Sequence, residues 1–522
     1  MNLLVDPVFR VRTPEGIGSY DLPGLMTLLG EDKVESLPGL QRHQEDAFHV
    51  FLCYLASAVL ARSGASDPRQ DGVYWREGIR DLTRQEGCAD DSAWTLVVED
   101  PTKPAFMQPP APDKATFERD YKLDTASPDA FDVLQTAKNH DVKQSRSDGL
   151  DVEAWLFAII TKQTMTGLLG KGNGGGMNRG IARMNSGYGS RPCVSWLPGH
   201  RSLGRRWGRD VERLLQLRDQ LLSPPYQYSA QGIVLVWIVP WEGRASLSLP
   251  TLDPFFIEVA RRVRLRQSQG HAEMWTAGSA VTRIAAEEQK GNLGDPWIPI
   301  NQETNGALTV PKAGLNPHLL RDLIFGDGNL RAAAMQEPSQ TSGSGWITAS
   351  VLVRGQGTTD GFHEVAIRVP EHARPFLFGR GAQRDRLAKL SKLGLDIASD
   401  VRKGLRYALF SFMEGGPTEI NFDNKQVSSW VDSADRPFTL NWNPKYFDWL
   451  WSTLGEPDEE LALRSWFEYL HGLAENTLTR ALEQVPMRSG RTYRSKTKAQ
   501  SKLYFHLRDT FPQYMEVNHD HP

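Results

Sequence analysis

The sequence predicts an α+β protein, with a mixed α/β N-terminal domain over residues 1–373 followed by a C-terminal four-helix bundle over residues 374–522. Three observations carry this expectation. Short apolar runs bounded by glycine and proline read as strands, and all of them precede Arg374-Pro375. Beyond that dipeptide only helical apolar spacing remains. A chain of 522 residues, 40% of them hydrophobic, also has enough apolar material for more than one core.

Taken in order, residues 2–11 open as a strand with a proline-marked turn. Residues 44–60 form the first long helix, with Phe48, Phe51, Leu52, Leu55 and Val59 on one face. Periodicity fails over residues 100–151, where prolines give way to a polar run, and a stretch this long without pattern is functional or partly disordered. An apolar helical segment, 155–169, leads into a glycine-rich run, and 192–197 then reads as a strand. Residues 201–222 have a basic first half and a helical second half, and 232–240 form a buried strand. The spacing predicts a helix over 253–265, extended chain over 275–285, a loop over 291–308 centred on Asp295-Pro296-Trp297, and a helix over 319–336. Residues 346–354 and 363–369 are two strands joined by 355–362. In the C-terminal part, Leu390, Leu393, Ile397, Val401, Ala408 and Phe412 make one stripe, and Leu463, Phe467, Leu470, Ala474, Leu478 and Ala481 another. Two shorter helices, 446–454 and 496–508, complete the bundle.

The chemistry centres on Lys171-Gly172-Asn173-Gly174-Gly175-Gly176-Met177-Asn178-Arg179-Gly180. So many glycines cannot sustain a helix or strand, and they let bare backbone approach a ligand. Lys171, Arg179, Arg183 and Arg191 surround them, with no acid between Lys171 and Arg209, so the expected ligand is polyanionic. Arg201, Arg205, Arg206 and Arg209 extend that basic character. A second basic cluster, Arg488, Arg491, Arg494, Lys496, Lys498 and Lys502, lies on and before the last bundle helix and suits phosphate neutralisation, the alternative being a solvated face. The formal net charge of −3 confines any nucleic-acid contact to such local patches.

Enzymatic motifs are missing. No lysine follows the last glycine as a phosphate-binding loop requires, and the order helix, glycines, strand is the reverse of a dinucleotide site. No nucleophile elbow or His-Glu-x-x-His is present, and Cys53, Cys88 and Cys193 form no CxxC pair, so neither zinc nor a disulfide framework is expected. His140-Asp141 is the one weak candidate for a metal site, which keeps open a second reading as a stand-alone nucleic-acid enzyme. The N-terminal residues do not read as a signal peptide and no apolar span suits a membrane helix, so the expectation is a cytoplasmic protein without membrane contact or cofactor.

The opening Met-Asn-Leu-Leu-Val-Asp, the Phe106-Met107-Gln108 triplet, the glycine run 172–180 and Tyr407-Ala-Leu-Phe-x-Phe-Met-Glu-Gly415 together resemble the CasA family. These are large subunits of type I-E CRISPR surveillance complexes (Cascade), and the resemblance runs nearly end to end. It implies a non-catalytic role: reading the protospacer-adjacent motif of target double-stranded DNA from the minor groove, promoting duplex opening and R-loop formation, and recruiting a helicase-nuclease in trans. The implied partners are that DNA, the crRNA-bearing Cascade subunits and the helicase-nuclease. Carried over, the glycine loop is Gly174, Gly175 and Gly176 with Asn178 and Arg179 beside it, and Lys290 is the lysine finger, with Lys312 as substitute. For the glutamine wedge, register from Glu364 indicates Thr359, whereas Gln356 is the glutamine nearby. Apart from the resemblance, Arg491, Arg494, Lys496 and Lys498 of the second basic cluster are the expected phosphate contacts. Residues 137–147 fall where the family docks on the complex near the guide's 5′ end.

Overall fold

The Glu45–Ser63 helix is buried on every side from Ala47 to Leu60, apart from a partly exposed His49, rather than on the single face its spacing suggests. A helix apolar all round belongs at the centre of a core. The computed structural model, which describes residues 1–133, 151–165, 190–199, 202–268, 270–326, 328–338, 343–354, 359–416, 420–485 and 490–515, wraps it with the helices Gly72–Gln85, Val152–Thr164 and Leu203–Leu221 and the strand Leu252–Ile257. Asp71, Asp151 and Ser202 cap the N-termini of those three helices, each accepting a backbone N–H of the first turn. Trp75, Trp94, Trp155, Trp207, Trp237 and Trp297 are fully buried around this centre. The resembling motifs supply core parts. Leu3 and Leu4 are buried, and Gln108 donates to the Leu96 carbonyl at 2.8 Å while accepting from the Leu265 N–H at 2.7 Å.

The protein is α+β with a helical C-terminus, and its strands form small two- and three-stranded sheets. It divides into two compact units, Met1–Asn316 with Gly326–Ile367, and Pro317–Phe325 with Arg368–Pro522. Residues 253–265, expected as a helix, are instead the strand Leu252–Ile257 and the start of the strand Arg262–Ser268. The cause is two buried arginines that imitate a polar helix face. Arg264 donates to the carbonyls of Val98, Asp100 and Lys103, and Arg262 to the Gly278 carbonyl and Asp120. Residues 319–336 likewise divide, the helix Pro317–Phe325 being followed by the short strand Leu330–Arg331 and the 3-10 turn Ala334–Gln336, and the strand Ile233–Leu235 turns into a 3-10 helix at Val236.

In the second unit four long helices pack together: Ala382–Met413, Lys425–Ser452, Glu459–Glu483 and Gly490–Thr510. The first contacts each of the others. Gly394 makes one of these approaches, since a Cβ there would lie 2.3 Å from the Trp449 ring, while the Gly394 carbonyl accepts from Trp466 Nε1 at 2.9 Å. The Trp449 and Trp466 rings stack at 4.8 Å. Lys425–Ser452 runs unbroken through Pro437 and Pro444, and the Asn441 side chain donates to the Pro437 carbonyl at 2.7 Å. No helix among the described residues is long and apolar enough to cross a membrane.

Candidate nucleic-acid interface

The glycine-rich run leads into the strand Cys193–Pro198, and residues 355–358 follow the strand Gly345–Arg354. These two strands pair antiparallel, Pro198 opposite Gly345 and Cys193 opposite Ser350. The strand Thr359–Val369 flanks Gly345–Arg354 on its other side. The register puts Cys193 near the end of the sheet where Gly345–Arg354 finishes. Cys193 and Arg354 therefore lie toward one end of one sheet.

Lys290 belongs to a turn built against that same end. Its φ of 47° and the 82° of Gly291 place two successive residues in the left-handed region. Only the second has no side-chain penalty. The turn is closed by Lys290 N–H to the Glu287 carbonyl at 3.1 Å and Asn292 N–H to the Gln289 carbonyl at 2.8 Å, and Ala307 N–H reaches the Lys290 carbonyl at 3.1 Å. Asn292 bonds Asn305 and Tyr226, and Leu293 and Trp297 anchor the following chain in the core. Lys290 itself is exposed, so the chain presents one cation on a fixed base. Gly291 also makes room for Arg191, because a Cβ there would lie 2.0 Å from the guanidinium carbon. Backbone bonds complete the junction, Val310 N–H to Ser190 at 2.7 Å and Val194 N–H to Trp297 at 2.8 Å. Lys312 lies on a neighbouring turn whose Gly314 abuts His363 of Thr359–Val369.

Several arginines expected on a basic surface are structural. Arg191 is buried, and that burial lowers its pKa to about 10 despite the opposing charges of Glu258 and Asp295. Arg206 pairs with Asp46 at 3.0 Å, and Asp46 accepts from Ser350 Oγ. Arg209 Nε donates to Asp210 at 2.7 Å, while its terminal nitrogen reaches Ser195 Oγ at 3.4 Å. Arg205 is exposed and pairs with Asp32. The local sequence lacks acids, but the Glu45–Ser63 helix and Asp210 supply them, so this ion-pair network fastens the sheet to two core helices through Ser195 and Ser350.

His49, Cys53 and Asp210 bring their ligand atoms within 4.8 Å of one another, which raises the question of a metal. The chemistry favours a hydrogen-bonded cluster. One nitrogen, His49 Nε2, faces both Asp210 at 2.7 Å and Cys53 Sγ at 3.5 Å, which is also the wrong geometry for a thiol–imidazole–carboxylate relay. Burial pushes the Cys53 thiol well up and, with Arg206, holds the His49 imidazolium down. Two adjacent guanidiniums already balance Asp210 and Asp46. Burial alone would raise the Asp210 carboxyl, but Arg209, the His49 bond and Arg206 outweigh it and hold it at about 2. A depressed carboxyl contributes stability in full above its unfolded value, about 4, and loses it as pH falls through about 2. Asp210→Asn is therefore expected to destabilise the fold at neutral pH by roughly 3–5 kcal/mol, since it strands buried positive charge. The gap between the urea midpoints of the two proteins should narrow, without closing, between about pH 4 and pH 2. A difference independent of pH would show that Asp210 acts by packing alone.

Gly174, Gly175, Gly176, Asn178, Arg179, Gln356 and the pair His140 and Asp141 lie outside the described residues, as do residues 137–147. Thr359 is the first residue of its strand. That strand is tied down at Glu364, which accepts from Arg42 Nε at 2.8 Å. On the Gly490–Thr510 helix, which includes Arg491, Arg494 is exposed and Lys496 partly so. Lys498 donates to the Gly416 carbonyl at 2.6 Å, a cap on the neighbouring helix end that the charge pattern alone does not reveal.

No family model matches the chain, and no curated protein does. Among solved structures, the fold is that of Cse1/CasA proteins. The CRISPR-associated protein Cse1 from Acidimicrobium ferrooxidans superposes with a TM-score of 0.62 at 13% identity, covering 99% of each chain. Thermobifida fusca Cse1 gives 0.62 at 13%, also over 99% of each. CasA from Thermus thermophilus gives 0.61 at 14%, over 98% of this chain and 99% of that one.

Proposed function

We propose that the chain is the large subunit of a type I-E CRISPR surveillance complex, and that it recognises the protospacer-adjacent motif in target duplex DNA without catalysing a reaction. The end-to-end likeness to Cse1 and CasA structures supports the assignment. The observation that carries the site is a placement of described residues: the start of Cys193–Pro198 and the end of Gly345–Arg354, which flank the glycine run and the 355–358 segment in sequence, lie with the Lys290 turn toward one end of one sheet. A backbone-rich loop, one long cation and one insertable side chain suit the minor groove, which is narrow and offers a degenerate donor–acceptor pattern. In this reading Gly174–Gly176 approach the groove floor through their backbone, with Asn178 and Arg179 alongside. Lys290, or in its place Lys312, reaches in, and Gln356 or Thr359 enters the stack. Residues 1–373 then form the reading domain and 374–522 the bundle, whose Arg491, Arg494 and Lys496 face phosphates, with Lys498 of the same cluster held at the Gly416 carbonyl beside them. Guide pairing reads the remaining sequence, and the opened target is handed to a helicase-nuclease recruited in trans.

The test separates reading from opening. A wedge offsets the cost of unstacking, about a few kcal/mol per step. Gln356→Ala in the assembled complex should slow R-loop formation on intact duplex and have little effect on a target already mismatched beside the motif. Thr359→Ala is the matched control for the other register. Equal defects on both targets would remove Gln356 as a wedge. A defect confined to Thr359→Ala would move the wedge there.

A further inference from the structure

The second unit carries a cleft of about 340 Å³ between the Ala382–Met413 helix and the N-terminal end of Lys425–Ser452. Tyr407, Phe410 and Phe422 form its apolar side, and Arg402, Lys403 and Arg406 its charged side. Phe422 is half exposed although it packs 5.3 Å from the Tyr407 ring and 5.2 Å from that of Phe410. Tyr407 is fixed from behind by His506, edge-on at 5.3 Å, and Lys403 Nζ lies 5.8 Å from its ring centre. The aromatic wall is thus rigid and open to water at one edge.

The cations are placed as firmly. Asp435, which is buried, accepts from Arg402 Nε at 2.9 Å and from Arg406 at 2.8 Å, and Asp432 accepts from Arg406 at 2.7 Å. Two carboxylates therefore orient two guanidiniums, and Lys403, exposed on the rim, leaves the cleft with a positive excess. Flat apolar rings next to fixed cations match a base joined to its phosphate, and such sites are tolerant of sequence because every base has a stacking face. An acidic peptide would satisfy the cations but leave the ring faces unused. Tyr407 also lies in one of the motifs of the family resemblance, and the motif-reading role leaves it unexplained.

We propose that this cleft binds single-stranded nucleic acid, with a base stacked on Phe422 and Tyr407 and the neighbouring phosphate on Lys403, beside Arg402. The inference deepens the function proposed above and rests on it for the source of the strand, since duplex opening would release one. Its chemistry is tested separately.

Binding of a labelled oligothymidylate to the full chain is measured at several salt concentrations, alongside an abasic strand of equal length. Phe422→Ala should weaken oligothymidylate binding about tenfold, the scale of one base–aromatic stack, and leave abasic binding unchanged. Lys403→Gln should weaken both strands and reduce the salt slope by about 0.7, the value for one phosphate contact on a single strand. Unfolding midpoints accompany each variant, and Phe422 and Lys403 are both exposed enough to change without disturbing the core. Unchanged oligothymidylate affinity in both folded variants would overturn the proposal. So would equal losses on thymidylate and abasic strands in Phe422→Ala, or displacement by polyglutamate that is as effective as displacement by oligothymidylate. If those results arise while Gln356→Ala still slows R-loop formation, only the cleft assignment fails. Failure of the wedge test leaves the oligothymidylate result standing.

Discussion

Replacing Gly175 with leucine is expected to lower the affinity of the assembled complex for motif-bearing duplex by roughly 10- to 100-fold, the range of losing a good groove contact. The unfolding midpoint should stay within about 0.5 kcal/mol of the parent, as for changes that touch no core. The effect is steric. A glycine run gives a groove only backbone amides, and a branched side chain would hold that backbone away from the base edges. Gly175→Ala should fall between the two. The complementary single-stranded target offers no duplex motif to read, so its capture through guide pairing should be unaffected by either change. A fluorescence titration of both targets checks this, and equal duplex affinity for Gly175→Leu and the parent would remove the glycine run from the interface.

The division of labour between sequence and structure is clearest where expectation and fold part. The α+β class and the helical C-terminus were legible because long apolar stripes such as Leu463 to Ala481 are hard to place in anything but a helix. The Lys425–Ser452 helix was legible only near its end. Pro437, Pro444 and a polar first half hide it, and burial of Val427, Val431 and Phe438 compensates for what the prolines cost. Residues 253–265 failed for the opposite reason: Arg262 and Arg264 are polar in sequence and buried in the fold, each donating to carbonyls from distant segments. A period-based reading assumes that charge means solvent, and here it does not.

The site divides in the same way. The loop expected from Gly291 onward was legible, and the turn at Lys290 and Gly291 accounts for that local pattern. The basic run from Arg191 to Arg209 misled. Its acid-free sequence suggested an open cationic face, but Asp46 and Asp32 come from elsewhere in the chain to neutralise Arg206 and Arg205, and Arg209 pairs with its own neighbour Asp210. Lys498 is a helix-end cap for the same kind of reason. Pairing across long sequence separation leaves no local signal, so a charge cluster becomes evidence for an anion site only once its partners are known.

Gly291→Val is expected to be the most damaging single change near the site, because it combines two independent faults. The position has φ of 82°, where an L side chain costs about 1–2 kcal/mol and a β-branched one more. The new Cβ would also lie 2.0 Å from the guanidinium carbon of Arg191, which is buried and held by its surroundings. Moving a buried charged group out of its contacts brings the expected loss to roughly 3–5 kcal/mol by urea unfolding. Duplex affinity should fall as well, since the turn that presents Lys290 can no longer close. Lys290→Ala supplies the contrast, with stability within about 0.5 kcal/mol of the parent and duplex affinity lower by about tenfold. A double-mutant cycle assigns the cause. If the clash is the main fault, Gly291→Val and Arg191→Ala will be non-additive by at least about 1 kcal/mol, because removing the arginine leaves only the backbone strain. Additivity within about 0.5 kcal/mol would mean that Arg191 yields freely and that conformation alone fixes glycine at this turn.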